Sequence, residues 1–120
     1  MDQAHELGVT GEEAACDYLE KKGYTILEKN WRHQRDEVDL IALEGDCLVI
    51  IEVKTRSSLY YGEPQVFVTR KKQAFMIRAA NAYIFQNDIH FETRFDIISV
   101  IHSSKGVLIN HIRDAFYPTL

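Results

Sequence analysis

The sequence predicts an α/β fold in which a mixed central β-sheet is flanked by helices, in the order α-β-β-β-α-β-β. Three observations carry that expectation. The run Cys47 to Thr55 is apolar on both of its alternating faces until it reaches Glu52, the pattern of a central strand covered from both sides. Two stretches with helical spacing stand before and after the central strands. A chain of 120 residues with 46% hydrophobic content has the size of one domain, 1–120, around a single sheet.

The elements follow in order. Thr10 and Glu13 form a T-x-x-E capping box, Ala15, Tyr18 and Leu19 recur at helical spacing, and Gly23 ends the pattern, so the first helix is expected over about 11–22. Residues 24–31 have strand composition in their first half. Polar residues 32–36 lead to a strand over 37–43, and Gly45 with Asp46 makes the turn into the strand at 47–55. Residues 57–64 read as a loop made aromatic by Tyr60 and Tyr61, and a second helix is expected over 70–85. From Ala74 to Phe85 that helix is apolar nearly all round, which predicts burial between layers and leaves a homodimer contact as the other use of such a surface. A closing hairpin over 94–102 and 107–113 completes the fold.

With 14 basic and 18 acidic residues the net charge is −4, which excludes a polycation that coats nucleic acid without specificity. The charge is segregated, however. Residues 1–20 contain six acids and no Lys or Arg, whereas Arg70, Lys71, Lys72 and Arg78 lie in a stretch without an acid. Cys16 and Cys47 are far apart and in no C-x-x-C pair, as expected of reduced core thiols in a cytoplasmic protein. The N-terminus lacks the basic and apolar regions of an export signal, and the longest strand run is too short to span a bilayer.

Charge placed on oily strands is the feature that points to chemistry. Asp39 shares a strand face with Glu37 and Ile41, Glu52 shares one with Ile50 and Lys54, and a hairpin near Gly45 brings the two faces together. Two carboxylates held against a core repel and resist ionisation unless a cation sits between them. A divalent metal does this, and an all-oxygen ligand set favours Mg²⁺ or Mn²⁺. Taken singly, Glu-x-Lys is a common exposed pair and an Asp near a strand start is an ordinary turn residue; it is their combination on an apolar strand that argues for a site. The five His residues show no metal-ligand spacing.

The pattern D-x12-E-V-K formed by Asp39, Glu52 and Lys54 resembles the PD-(D/E)XK nuclease superfamily, with its restriction-endonuclease-like three-layer fold. More closely, the chain is similar to the YraN family of small bacterial proteins. The segments GEEAACDYLEKKGYTILEKNWR, EVDLIALEGDCLVIIEVKTRS, the Gly62 and Pro64 loop, VTRKKQ and RFDIISV stand in that family's order and extend the resemblance from residue 8 to about 117. One departure is Asp36, which stands where the family usually has the Gly of Gly-Glu-Ile-Asp.

The resemblance implies that Asp39, Glu52 and the carbonyl of Val53 bind the metal, that Lys54 positions a water or stabilises charge on the phosphate, and that Glu12 approaches the metal, as in Holliday-junction resolvases of similar layout. The bland reading of Glu12 is an acid favoured by the helix dipole. Arg70, Lys71 and Lys72 crowd a helix N-terminus, where cations are disfavoured, and a phosphate docking there would explain them. Arg32, Arg35 and Arg56 are the other expected nucleic-acid contacts, and Gln73 resembles a glutamine of some nucleases in the superfamily. The expected function is a metal-dependent nuclease acting on DNA of branched or single-stranded form. The competing expectation is a nucleic-acid- or partner-binding module that keeps the fold without useful catalysis.

Overall fold

A computed structural model of the chain describes residues 3–57 and 68–118, with side chains from residue 11 onward. The predicted loop at 57–64, with Tyr60 and Tyr61, lies outside the described residues except for Ser57. The elements are α1 (Gln3–Lys21), β1 (Thr25–His33), β2 (Asp36–Glu44), β3 (Cys47–Ser57), α2 (Arg70–Asn87), β4 (Glu92–Ser103) and β5 (Gly106–Phe116). The order is the expected one, and the five strands form one sheet ordered β1-β2-β3-β4-β5. The strand read as central is central. Its pairing with β2 is antiparallel and with β4 parallel, so the sheet is mixed.

Each helix covers one face of this sheet because β3 is apolar on both. Under α1, Ala15, Cys16 and Leu19 pack with Leu40, Ala42, Val49 and Ile51; under α2, Met76, Ala79, Ala80 and Tyr83 pack with Ile41, Leu48 and Ile50. Ile50 and Ile51 are both fully buried, on opposite faces. This is a three-layer α/β arrangement.

Two expectations are corrected. Helix α1 begins at Gln3, not near Gly11, so Thr10 lies within the helix and the Thr10–Glu13 capping box does not form its start. Glu12 is therefore not in a first turn, and the helix-dipole reading of that residue falls. The second correction concerns α2, which is buried along one stripe and not all round: Phe85 is 89% exposed. Its N-terminus is capped by Thr69, whose hydroxyl accepts the Lys72 N–H at 3.1 Å. No helix among the described residues is long and apolar enough to cross a membrane.

Candidate metal-binding active site

The β2–β3 ladder runs from Glu44↔Cys47 to Leu40↔Ile51 and ends there. The next residues outward are Asp39 and Glu52. Instead of continuing the ladder, the Asp39 carboxylate accepts the N–H of Val53 on Oδ2 at 2.8 Å. Strand β2 also changes phase at this point. Val38 and Ile41 both belong to the core under α2 while Leu40 belongs to the core under α1, so the two-residue alternation slips across 38–41. On the neighbouring strand the register holds from Lys29↔Leu40 to Trp31↔Val38, but Asn30 between them, opposite Asp39, takes a left-handed φ of 51°. The side-chain amide of Asn30 donates to Glu12 Oε2 at 3.0 Å.

The hairpin register sets Asp39 and Glu52 beside each other just past the last ladder pair, and the Asn30 amide holds Glu12 nearby. Asp39 is pushed up to about 7, mainly by burial, then by the negative charge of Glu52, with a smaller push from Glu12; the Val53 N–H and the Lys72 ammonium only partly oppose this. Glu52 Oε2 is buried and accepts no hydrogen bond. Its partner is Lys72 from the first turn of α2, whose Nζ stands 3.5 Å away, near enough for charge attraction without hydrogen-bond geometry. Lys54, which the alternative reading would pair with Glu52, makes no ion pair among the described residues. It lies two residues beyond Glu52 on the same face of β3 and is half-buried.

The donor set is hard and oxygen-only: two carboxylates, with the charge of a third, Glu12, felt at Asp39. Among the described residues no three Asp, Glu, His or Cys side chains stand close enough to form a ready-made metal cage. The chemistry still fits a divalent cation, because a buried Glu52 oxygen without a hydrogen bond and a carboxyl that resists ionisation both gain from one.

The expected nucleic-acid contacts collect at this end of the sheet. Arg32 lies near the end of β1 and Arg35 in the β1–β2 turn, beside the start of β2; Arg56 lies at the end of β3, where its Nη1 donates to the Thr55 carbonyl at 3.1 Å. Arg32 is also engaged by Glu37 at 2.6 Å. At the α2 N-terminus Arg70 and Lys71 are exposed, and Lys72 turns inward to Glu52. Gln73 is tied to the backbone by its Nε2, which donates to the Val68 carbonyl at 2.9 Å. The unusual Asp36 is nearly buried, and its two oxygens accept from Nη2 and Nε of Arg78 at 3.0 and 3.1 Å, which fastens the start of β2 to α2.

Three contributors escape a residue-by-residue reading of the sequence. Asn30 is one, and nothing in its local sequence announces a left-handed strand residue. Gly11 is another: a Cβ there would collide with Thr55 Oγ1, so α1 approaches β3 more closely than any other residue type would permit, and this seats Glu12 beside the site. The third is Asp36.

A model of the uncharacterised protein family UPF0102 matches residues 11–100, a span that contains every predicted site residue. The chain belongs to that family. It is the YraN family that the motifs resemble. A UPF0102 protein of Flavobacterium psychrophilum is 47% identical over 117 residues, covering 98% of each chain. One from Christiangramia forsetii is 46% identical over 117 residues with the same coverage. A UPF0102 protein of Bacteroides thetaiotaomicron is 44% identical over 120 residues, 100% of this chain and 99% of the relative. None of these names carries an activity, so the chemistry has to come from the site itself.

Proposed function

We propose that the protein is a metal-dependent nuclease that hydrolyses phosphodiester bonds, with DNA of branched or single-stranded form as its substrate. The observation that carries this reading is the pairing of Asp39, pushed up to about 7, with a half-buried Glu52 whose Oε2 accepts no hydrogen bond. A fold has no reason to keep such a pair for stability, since two apolar residues would serve better. A site that takes up cationic charge does have a reason.

Asp39, Glu52 and the Val53 carbonyl would hold Mg²⁺ or Mn²⁺, with Glu12 approaching from α1. When bound, the ion supplies Lewis acidity toward the phosphate and lowers the pKa of a water toward neutrality. The remaining work falls to the chain. Asp39 surrenders its proton as cationic charge arrives, and the Val53 N–H keeps its Oδ2 in place through that change. Lys54, unpaired among the described residues, offers N–H donors to the nucleophile or to charge building on the phosphate oxygens. Arg32, Arg35, Arg56, Arg70 and Lys71 hold the phosphate backbone in register along the same end of the sheet.

One observation favours the second reading, a binding module: the acids form no closed cage among the described residues, and Lys72 already answers part of the Glu52 charge. A cleavage panel separates the two. Duplex, flap, junction and single-stranded DNA are incubated with Mg²⁺, with Mn²⁺ or with EDTA. A nuclease cuts at least one of them with metal and none with EDTA, and Glu52→Gln and Lys54→Met abolish the cutting. Binding without cutting under every condition would establish the module instead.

A further inference from the structure

Lys72 is the charged group in the site whose position the proposed chemistry does not by itself explain. It belongs to a basic run expected to face phosphate, yet it turns inward, and its Nζ stands 3.5 Å from Glu52 Oε2. Its side chain is 35% exposed and that of Glu52 only 16%. The contact is an attraction of charges without a hydrogen bond, because Glu52 Oε2 accepts none. A loose pair of this kind is replaceable: Glu52 gives up no well-made bond when another cation takes its charge. The Thr69 cap holds the backbone of Lys72, so only its side chain needs to swing.

We propose that Lys72 is a placeholder cation that couples metal binding to phosphate binding, occupying Glu52 in the metal-free protein and passing to a nucleic-acid phosphate once a divalent ion holds Glu52. The inference rests on the nuclease reading of the site and deepens it. Two positive charges cannot share one carboxylate oxygen without mutual repulsion, so a bound divalent ion expels the ammonium. The expelled ammonium lies at the capped start of α2, beside exposed Arg70 and Lys71, where a phosphate chain crossing the site would pass. By reciprocity, whatever factor the metal adds to phosphate affinity through Lys72, phosphate adds to metal affinity. The protein would hold metal and nucleic acid weakly when alone and tightly together.

The test measures Mn²⁺ affinity by titration calorimetry without nucleic acid, for wild type, Lys72→Met and Lys72→Arg. It also measures binding of a single-stranded oligonucleotide with and without Mn²⁺, in a Lys54→Met background so that the strand is not consumed. Removal of the placeholder should tighten Mn²⁺ binding by roughly five- to a hundred-fold, the ordinary range for coupled sites. Lys72→Arg, which keeps the charge, should stay near wild type. Mn²⁺ should tighten oligonucleotide binding clearly more with Lys72 present than in Lys72→Met, where only the direct pull of the ion on the phosphate remains. If Lys72→Met and wild type bind Mn²⁺ equally, or if Mn²⁺ tightens oligonucleotide binding equally in both, the coupling is refuted while the metal site stands. If wild type and both variants bind no Mn²⁺, the coupling and the nuclease reading fall together.

Discussion

Two aspartates set against the sheet stand two strands apart, Asp96 on β4 level with Ile51 and Asp39 on β2 next to Leu40, the partner of Ile51 on its other side, and the contrast between them separates structure from function. Near the start of β4, Asp96 is fully buried and has four donors: Arg94 Nε and Nη2 at 2.8 Å each, His111 Nε2 at 2.7 Å and the Asp114 N–H at 3.1 Å. The network continues outward through Arg94 to Glu44 and Tyr24, and through His111 to the Tyr18 hydroxyl. Burial alone would raise Asp96, yet the His111 and Arg94 hydrogen bonds and the Asp114 N–H hold it below its ordinary value. On β2, Asp39 has one N–H for a partner and a second carboxylate for a neighbour, and is pushed up to about 7. The same residue type on the same sheet is met by four donors in one place and by one in the other. A satisfied buried charge is a structural joint, whereas an unsatisfied one marks a site that something else must complete.

The sharpest way to break this comparison is at the satisfied aspartate. Asp96→Asn takes from buried Arg94 the closer-held of its two counter-charges, leaving only the more exposed Glu44, and takes from His111 its carboxylate partner; it should cost about 3–5 kcal/mol in chemical denaturation, the usual penalty for removing one partner of a buried pair. A loss below about 1 kcal/mol would show that the network is not a joint. The pH dependence has a definite sign. A carboxylate held low contributes stability that is present above its ordinary value of 3.8 and is lost as pH falls through its lower folded value, so Asp96 adds to the acid limb of unfolding.

Helix α1 serves both places, with Gly11 and Glu12 at the unsatisfied site and Tyr18 at the network. Gly11→Ala places a Cβ against Thr55 and should cost about 1–3 kcal/mol by overpacking. It should also weaken Mn²⁺ binding, by displacing Glu12, more than it disturbs the Tyr18–His111 bond. Equal damage at both places, read from backbone amide shifts, would mean that α1 moves as a rigid rod and that Gly11 has no special tie to the site.

At the unsatisfied aspartate the expected signs reverse. Glu52→Gln and Asp39→Asn should hold or raise metal-free stability, by up to roughly 2 kcal/mol, because each removes one of two repelling carboxylates. Mn²⁺ should raise the melting point of wild type and leave both variants unmoved. Asp39 also fixes a pH window. Its folded value lies above its ordinary 3.8, so the native state keeps a proton that the unfolded chain releases, and stability falls as pH rises from about 4 to about 7 and then levels off. In Asp39→Asn that slope should vanish. If Glu52→Gln destabilises the metal-free protein, the Glu52–Lys72 pair is a structural joint after all, and the comparison collapses.

Much of the fold is legible in the sequence because the sheet obeys short-range rules. The two apolar faces of β3, the Gly45–Asp46 turn and the helical spacing in 70–85 each act over a few residues, and the element order follows from them. The pairing of Asp39 with Glu52 is legible too, since a tight hairpin leaves one natural register. The illegible part depends on contacts between distant segments. Asn30 reaches Glu12 across 18 positions, Arg78 reaches Asp36 across 42, and Lys72 displaces Lys54 as the partner of Glu52 because α2 returns to the end of β3 after a long connection. The start of α1 is hidden for a different reason: a T-x-x-E pattern can begin a helix, but nothing local forbids a helix already under way from passing through it.

The smallest effect concerns the rim that lies between these extremes. Arg32 Nη2 meets Glu37 at 2.6 Å, but the side chains are 68% and 36% exposed, so water competes for both charges. Such a pair is worth about 0–1 kcal/mol, and Arg32→Ala should leave the melting point nearly unchanged, in contrast to Asp96→Asn. Its effect belongs in binding. If Arg32 meets a backbone phosphate, its removal should weaken oligonucleotides of all sequences alike and lower the slope of log affinity against log salt by about one. Glu37 opposes this by holding Arg32 in competition with the phosphate, so Glu37→Gln should tighten binding and steepen the same slope. A slope unchanged in both variants would take Arg32 off the nucleic-acid path and leave the surface pair as nothing more than a weak tie between β1 and β2.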